Sequence, residues 1–218
     1  MLDTHVASAL LEIGAVGFSP YAPITFKSGI LSPVYVDNRR LIFWPRQWWL
    51  IIEGFREIIA REKLAFDVIA GIATGGVPHS SALAYSLQVP SVYVRQQSKE
   101  HGQQNRIEGG DVAGQRVLLI EDMITTGGSS LGGVAALRDA GAIVEDCLTI
   151  TTYGFAMSRQ AFQIARINLH ALADFHTIVQ VALDMGMFGE QELAIIEDWL
   201  IDPHGWAERQ EDVDNSEV

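Results

Sequence analysis

The run Val117-Leu118-Leu119-Ile120-Glu121-Asp122-Met123-Ile124-Thr125-Thr126-Gly127-Gly128-Ser129 decides the architecture. Its first four residues are all apolar, the pattern of a strand buried on both faces, as in a parallel sheet. Two adjacent carboxylates, Glu121 and Asp122, then fall at the strand's C-terminal end. A Thr/Gly/Ser turn follows and leads into residues 131–140, which read as a helix. In open α/β sheets, ligands bind beyond the carboxyl ends of the strands. A small-residue turn at a helix start presents unpaired N–H groups and the positive end of the helix dipole, which suit a phosphate. Two acids beside such a cradle repel the anion unless they face something else. The polyol of a sugar, or a metal, removes the conflict, so the stretch asks for a sugar phosphate.

Downstream and upstream of this centre, apolar runs alternate with helical patterns. Phe66-Asp67-Val68-Ile69-Ala70-Gly71-Ile72-Ala73 reads as a buried strand that ends in Thr74-Gly75-Gly76 and enters a helix near Pro78-His79-Ser80. That turn serves either a second anion or close packing of strand and helix. Residues 89–95 form a third strand ending in Arg95. The polar, aperiodic residues 96–110 are a long loop, either a functional lid or a plain connection. Arg95, Lys99, His101 and Arg106 gather there in an otherwise acidic chain. A fourth strand lies within 142–153, a helix over 155–165 and a fifth strand over 167–172. Helices near 176–185 and 189–200 complete the series. His170 and His176 lack metal-binding spacing and read as structural or surface residues. This alternation predicts an α/β fold, a doubly wound parallel sheet flanked by helices.

Ahead of the sheet, residues 5–16 carry an apolar helical stripe stopped by Gly14 and Gly17. Residues 24–39 read as two short strands around a Ser28-Gly29 turn, with Val34 and Val36 on one face and Tyr35 on the other. Pro45 suits the first turn of a helix running to about Lys63. Trp48, Trp49, Ile51, Ile52 and Phe55 give that helix a broad apolar surface, read as core with an oligomer contact as a second use. The expected organisation is a single unit over 1–207, with a small N-terminal hood over about 1–44 and the core over about 45–207. Residues 208–218 are acidic and nearly free of hydrophobes, and are expected to be disordered.

The chain is 48% hydrophobic with a net charge of −12. The first value marks a globular protein; the second argues against general nucleic-acid binding and against docking on an anionic membrane. A local cationic cluster can still hold an anionic small molecule. No apolar run is long enough to span a bilayer and no basic signal-peptide start is seen, so a cytoplasmic location is expected. The single cysteine, Cys147, sits in an apolar run and reads as a buried small hydrophobe. Lysine is scarce: two of only three, Lys27 and Lys99, fall inside motifs.

The thirteen residues 117–129 resemble the phosphoribosyl-pyrophosphate (PRPP) loop of type I phosphoribosyltransferases. Phe26-Lys27-Ser28-Gly29, Ser32-Pro33 and Asp37-Asn38-Arg39 resemble the N-terminal motif of the orotate phosphoribosyltransferases within that family. Gly71-Ile72-Ala73-Thr74-Gly75-Gly76-Val77-Pro78-His79 resembles their pyrophosphate loop. Arg95, Lys99-Glu100-His101-Gly102 and Ile107-Glu108-Gly109 resemble their mobile catalytic loop. The lysine–acid–His-Gly element separates this group from other type I enzymes.

The resemblance implies a type I phosphoribosyltransferase fold and the formation of orotidine 5′-monophosphate and pyrophosphate from orotate and PRPP with Mg2+. Thr125, Thr126, Gly127, Gly128 and Ser129 would take the 5′-phosphate. Glu121 and Asp122, with Met123 and Ile124 in the same loop, would take the ribose. Arg95, Lys99 and His101 would face the pyrophosphate across from Thr74 and Gly75, and Lys27 and Thr125 would lie by the orotate. Lys99, His101 and Asp122 are the catalytic candidates. No protein metal ligand is assigned, Mg2+ being expected through PRPP and water. A homodimer is implied, with the loop over about 96–110 reaching the neighbouring site. The alternatives are transfer to another base, or a PRPP-sensing regulator. Some members carry lysines where this chain has Gly75 and Gln96, which leaves fewer cations for PRPP. Arg159 and Tyr153 lie near the region that selects the base, and neither is assigned.

Overall fold

Apolar runs short enough to bury both faces of a sheet, separated by helical stretches, place the site at the C-terminal ends of the central strands in the computed structural model. The model describes residues 2–26, 29–96 and 106–216. Helix α1 (Leu2–Glu12) buries Val6, Ala7 and Leu10, and Gly14 follows with φ +64°. Strand β1 (Val16–Phe18) pairs antiparallel with β4 (Val34–Val36), and β2 (Ile24–Thr25) pairs antiparallel with β3 (Leu31–Ser32). The hood therefore has two small ribbons where one hairpin was expected. A three-residue strand with a glycine at its centre, as β1 is, shows no alternation for a sequence reading to find. Val34 is buried and Tyr35 exposed, as the alternation predicted. Next comes a 3-10 helix, Asn38–Phe43, which was not anticipated; the Asp37 carboxylate caps it by accepting from the Arg39 N–H. Helix α2 (Pro45–Glu62) begins at the expected proline and closes on Lys63 in the left-handed region.

The core then runs β5 (Val68–Ile72), α3 (Gly76–Leu87), β6 (Ser91–Val94), β7 (Ile107–Glu108), β8 (Val117–Ile124), α4 (Gly128–Asp139), β9 (Asp146–Thr152), α5 (Ala156–Ile164), β10 (Asn168–Asp174) and α6 (Phe175–Asp184). Helices α7 (Glu190–Ile201) and α8 (Pro203–Ser216) follow. The six strands lie in the order β10-β9-β8-β5-β6-β7. Five are parallel as expected, and β7 pairs antiparallel with β6, so the sheet is not purely parallel. With two residues inside a polar stretch, β7 gave no periodic signal.

Burial alternates along the central strands. Ile69, Leu118, Ile120, Leu148 and Ile150 join one core with residues of α1, α2, α6 and α7. Ala70, Ile72, Leu119 and Cys147 join a second core beneath α4 and α5, with Leu137 and Phe162. Each fully buried aliphatic side chain contributes roughly 1.5–3 kcal/mol. That makes β5, buried from end to end, and β8, buried from Val117 to Glu121, the rigid base for what lies at their C-terminal ends.

The hood is fastened from below. Trp199 of α7 donates its indole N–H to the Leu31 carbonyl at 2.8 Å, and its ring packs edge-on to Tyr153 at 5.2 Å. Beyond α7 the composition predicts disorder from 208, yet α8 continues through 216. Trp206 on α8 is buried, and Arg209 pairs with Asp198 of α7 at 2.9 Å. Trp206 precedes the acidic stretch and Arg209 sits at its start, so the bulk composition of that stretch did not reveal them. No helix among the described residues is long and apolar enough to cross a membrane.

Candidate active site

Two turns meet at the end of β8. The first joins β5 to α3 through Thr74, Gly75 and Gly76. A Cβ added to Gly75 would lie 2.3 Å from an Asp122 carboxylate oxygen, and one on Gly76 would lie 2.5 Å from the Ile120 carbonyl. Only glycine lets α3 start this close to β8, so the packing reading of this turn holds, and it sets the Asp122 carboxylate against the turn. The second turn joins β8 to α4. Gly127 takes φ +84°, and a Cβ there would lie 2.7 Å from the Phe162 ring. Gly128 and Ser129, at the first turn of α4, are exposed. Their N–H groups have no intrahelical partner, which is the arrangement that binds anions.

The acids are tightly held. Glu121 is buried; its carboxylate accepts from the Ser130 hydroxyl at 3.0 Å and from the Asp122 N–H at 3.2 Å. Burial, and then the neighbouring Asp122 charge, push the Glu121 carboxyl well above the ordinary carboxylate range. Burial also raises Asp122, while the Arg39 charge acts in the opposite direction. Two buried carboxyls in sequence do not both ionise freely. From the hood, the Asn38 amide donates to the Asp122 carbonyl and to the Thr151 hydroxyl, both at 2.7 Å. Further back on α3, His79 is buried and accepts from the Trp48 indole at 2.9 Å. Burial holds its pKa down to about 4, so it serves as a neutral tie between α2 and α3.

These walls enclose a cleft of about 690 Å³ lined by Thr74, Gly75, Arg95, Glu121, Asp122 and Arg39, among others. A neighbouring hollow of about 440 Å³ is lined by Phe26, Thr125, Thr126, Gly127, Gly128 and Tyr153, among others. Val36, Met123 and Ser129 line both, so the two are halves of one groove. The structure thus brings together Arg95, Thr74, Gly75, Glu121, Asp122, Met123 and the whole of 125–129. It does not bring in the Ile124 side chain, which is buried in the core under α4 with Val117 and Leu119. Lys27, Lys99 and His101 lie outside the described residues.

Sequence reasoning left four groove residues without a role. Asp37, Arg39 and Tyr153 line it, and Asn38 fixes it from behind. The Asp-Asn-Arg triplet between two apolar stretches was the available signal. Arg159 is elsewhere: its guanidinium donates to the Gly154 carbonyl and faces a separate cleft beside Phe162 and Arg166.

Comparison with known proteins places this geometry. The model of the phosphoribosyl transferase domain family matches residues 48–154. Orotate phosphoribosyltransferase of Coxiella burnetii is 43% identical over 203 residues, covering 93% of this chain and 97% of that protein. Among solved structures, orotate phosphoribosyltransferase from Aeropyrum pernix superposes with a TM-score of 0.72 at 29% identity, covering 84% of this chain and 99% of that one. The Mycobacterium tuberculosis orotate phosphoribosyltransferase in complex with PRPP superposes with a TM-score of 0.61 at 26% identity, over 80% of this chain and 98% of that one.

Proposed function

Because the chain belongs to the orotate phosphoribosyltransferase family, we propose that it transfers the 5-phosphoribosyl group of PRPP to orotate in pyrimidine biosynthesis. The products are orotidine 5′-monophosphate and pyrophosphate. One observation carries the reading: a buried Glu121 and a half-buried Asp122 at the end of β8 run directly into an exposed anion-binding turn, so one ligand with a polyol and a phosphate spans both.

In this reading the N–H groups and hydroxyls of Thr125–Ser129 hold the 5′-phosphate at the start of α4. Glu121 and Asp122 bind the ribose hydroxyls below. As pyrophosphate leaves C1, positive charge develops on the ring, and the fixed Asp122 carboxylate stabilises it without having to reorganise. Arg95 takes up charge on the departing pyrophosphate, with Lys99 and His101 assigned to the same task by resemblance. Lys27 and Thr125 are assigned to the base. Phe26 and Tyr153 close the apolar half of the groove around it.

Mg2+ belongs to the same proposal. Carboxylate oxygens such as those of Asp122 suit a hard cation that keeps water and phosphate ligands. In this reading the metal is carried in by PRPP and water. Bound there, it would neutralise phosphate charge. A homodimer is supported by large aromatics left exposed: Phe43 at 80%, Trp49 at 64% and Tyr85 at 88%. We place the protein in the cytoplasm, where its one thiol, buried Cys147, would stay reduced.

The test follows orotate absorbance with protein, PRPP and Mg2+, and with each omitted in turn. Loss that needs all three and yields orotidine monophosphate and pyrophosphate is the expected result. A folded chain that binds PRPP but leaves orotate untouched while consuming another base would refute it.

A further inference from the structure

The groove must accept a polyanion, yet its floor is acidic, and two positions that could carry cations do not. Gln96 is neutral. At Gly75 a Cβ would fall 2.3 Å from the Asp122 carboxylate, so a longer residue there would displace that side chain. Among the described residues, the cations that line the cleft are Arg95, at the end of β6, and Arg39, from the hood on the opposite side.

Arg39 is held there by its neighbours. Asn38 is 1% exposed and pinned by two 2.7 Å bonds to Asp122 and Thr151, so the backbone at 38–39 is fixed relative to the acid pair. The Arg39 N–H is bonded to the Asp37 carboxylate. The guanidinium meets the same carboxylate only through Nε, at 2.6 Å. Beyond Asp37 its polar neighbour among the described residues is the Tyr35 side chain, and the arginine side chain is 60% exposed. An exposed ion pair adds little to stability, so the pair with Asp37 does not account for an arginine at this place. A half-engaged fork on the wall of a phosphate groove has the geometry to take two oxygens of one phosphoryl group.

We propose that Arg39 is a PRPP-binding residue, its terminal guanidinium nitrogens gripping the pyrophosphate moiety from the hood side opposite Arg95. The assignment rests on the proposed function and supplies from the hood the charge missing at Gly75 and Gln96. Asp37 orients the fork, and Asn38 positions both against Asp122.

Calorimetric binding of PRPP with Mg2+, measured without orotate, tests this. Arg39→Gln should weaken binding about ten- to a hundredfold, the loss of a charge-assisted bond. Arg39→Lys should restore part of it, since charge returns without the fork. Asp37→Asn, which leaves the guanidinium charge but loosens its orientation, should weaken PRPP binding by less than Arg39→Gln does. In turnover, the KM for PRPP should rise in Arg39→Gln while the KM for orotate stays within about twofold. Parent-like PRPP binding by Arg39→Gln would overturn the assignment, as would equal losses in Arg39→Gln and Asp37→Asn, which would mean that only their mutual pairing matters. A parent chain that does not bind PRPP at all would overturn the proposed function as well.

Discussion

The turns after β5 and after β8 look alike on paper: a buried strand, threonine, two glycines, a helix. In space they do opposite work. The β5 turn is shut, its glycines pressed on the Asp122 carboxylate and the Ile120 carbonyl. The β8 turn is open, with Gly127 bent into the left-handed region and Gly128 and Ser129 facing solvent. One turn presents a side chain and the other presents backbone N–H groups. Glycine pairs after a strand therefore mark close approach, and what approaches has to be found from the neighbours.

Asp122 is where the two turns touch, and removing its charge is the strongest test of their division of labour. Asp122→Asn should cut kcat about 10²–10³-fold, the scale for loss of one preorganised electrostatic group. Thermal melting should hold or rise, because a buried charge has gone. A variant with near-parent kcat would show that Asp122 serves packing only.

The glycines come next. Gly75→Ala should destabilise by about 1–3 kcal/mol through overpacking and lower activity with it, since the Asp122 carboxylate must shift. By contrast, a Cβ on Gly128 would meet nothing nearer than the Thr126 hydroxyl at 3.9 Å. Gly128→Ala should stay within about 0.5 kcal/mol of the parent in urea unfolding. It should still raise the KM for PRPP several-fold, because the new methyl enters ligand space. Equal stability losses in the two variants would erase the distinction between a shut and an open turn.

The smallest effect concerns pH. Glu121 titrates above its ordinary value of 4.5 in the folded chain. Between that value and its raised folded pKa, the folded state holds a proton that the unfolded state has lost. Stability from this group is therefore complete below 4.5 and falls as pH rises through that window. Glu121→Gln should flatten this part of the stability curve; a slope identical to the parent's would contradict the cause assigned.

The β8–α4 unit was legible because all its evidence is contiguous: burial, charge and turn residues fall within thirteen positions. The β5 turn was half legible. Its glycines were visible, but Asp122, which requires them, is 47 residues away from Gly75. Asn38 was not legible as a tie, since its partners Asp122 and Thr151 lie 84 and 113 residues downstream. Ile124 was assigned to the site by its place in a motif, whereas its side chain packs into the core under α4. Motif membership gave the neighbourhood, and only the packing at the end of β8 decided which members look outward.

The indole of Trp199 holding the Leu31 carbonyl has a consequence for synthesis on the ribosome. The sheet strands through β10 can leave the exit tunnel and pair in order, and with them the phosphate turn. The hood, made first, has to wait for a residue made 168 positions later before it is clamped over the groove. A nascent chain with residues through about 175 clear of the tunnel and Trp199 still inside would therefore carry a formed phosphate turn beneath a hood that Trp199 does not yet hold. The clamp comes as the closing step of assembly.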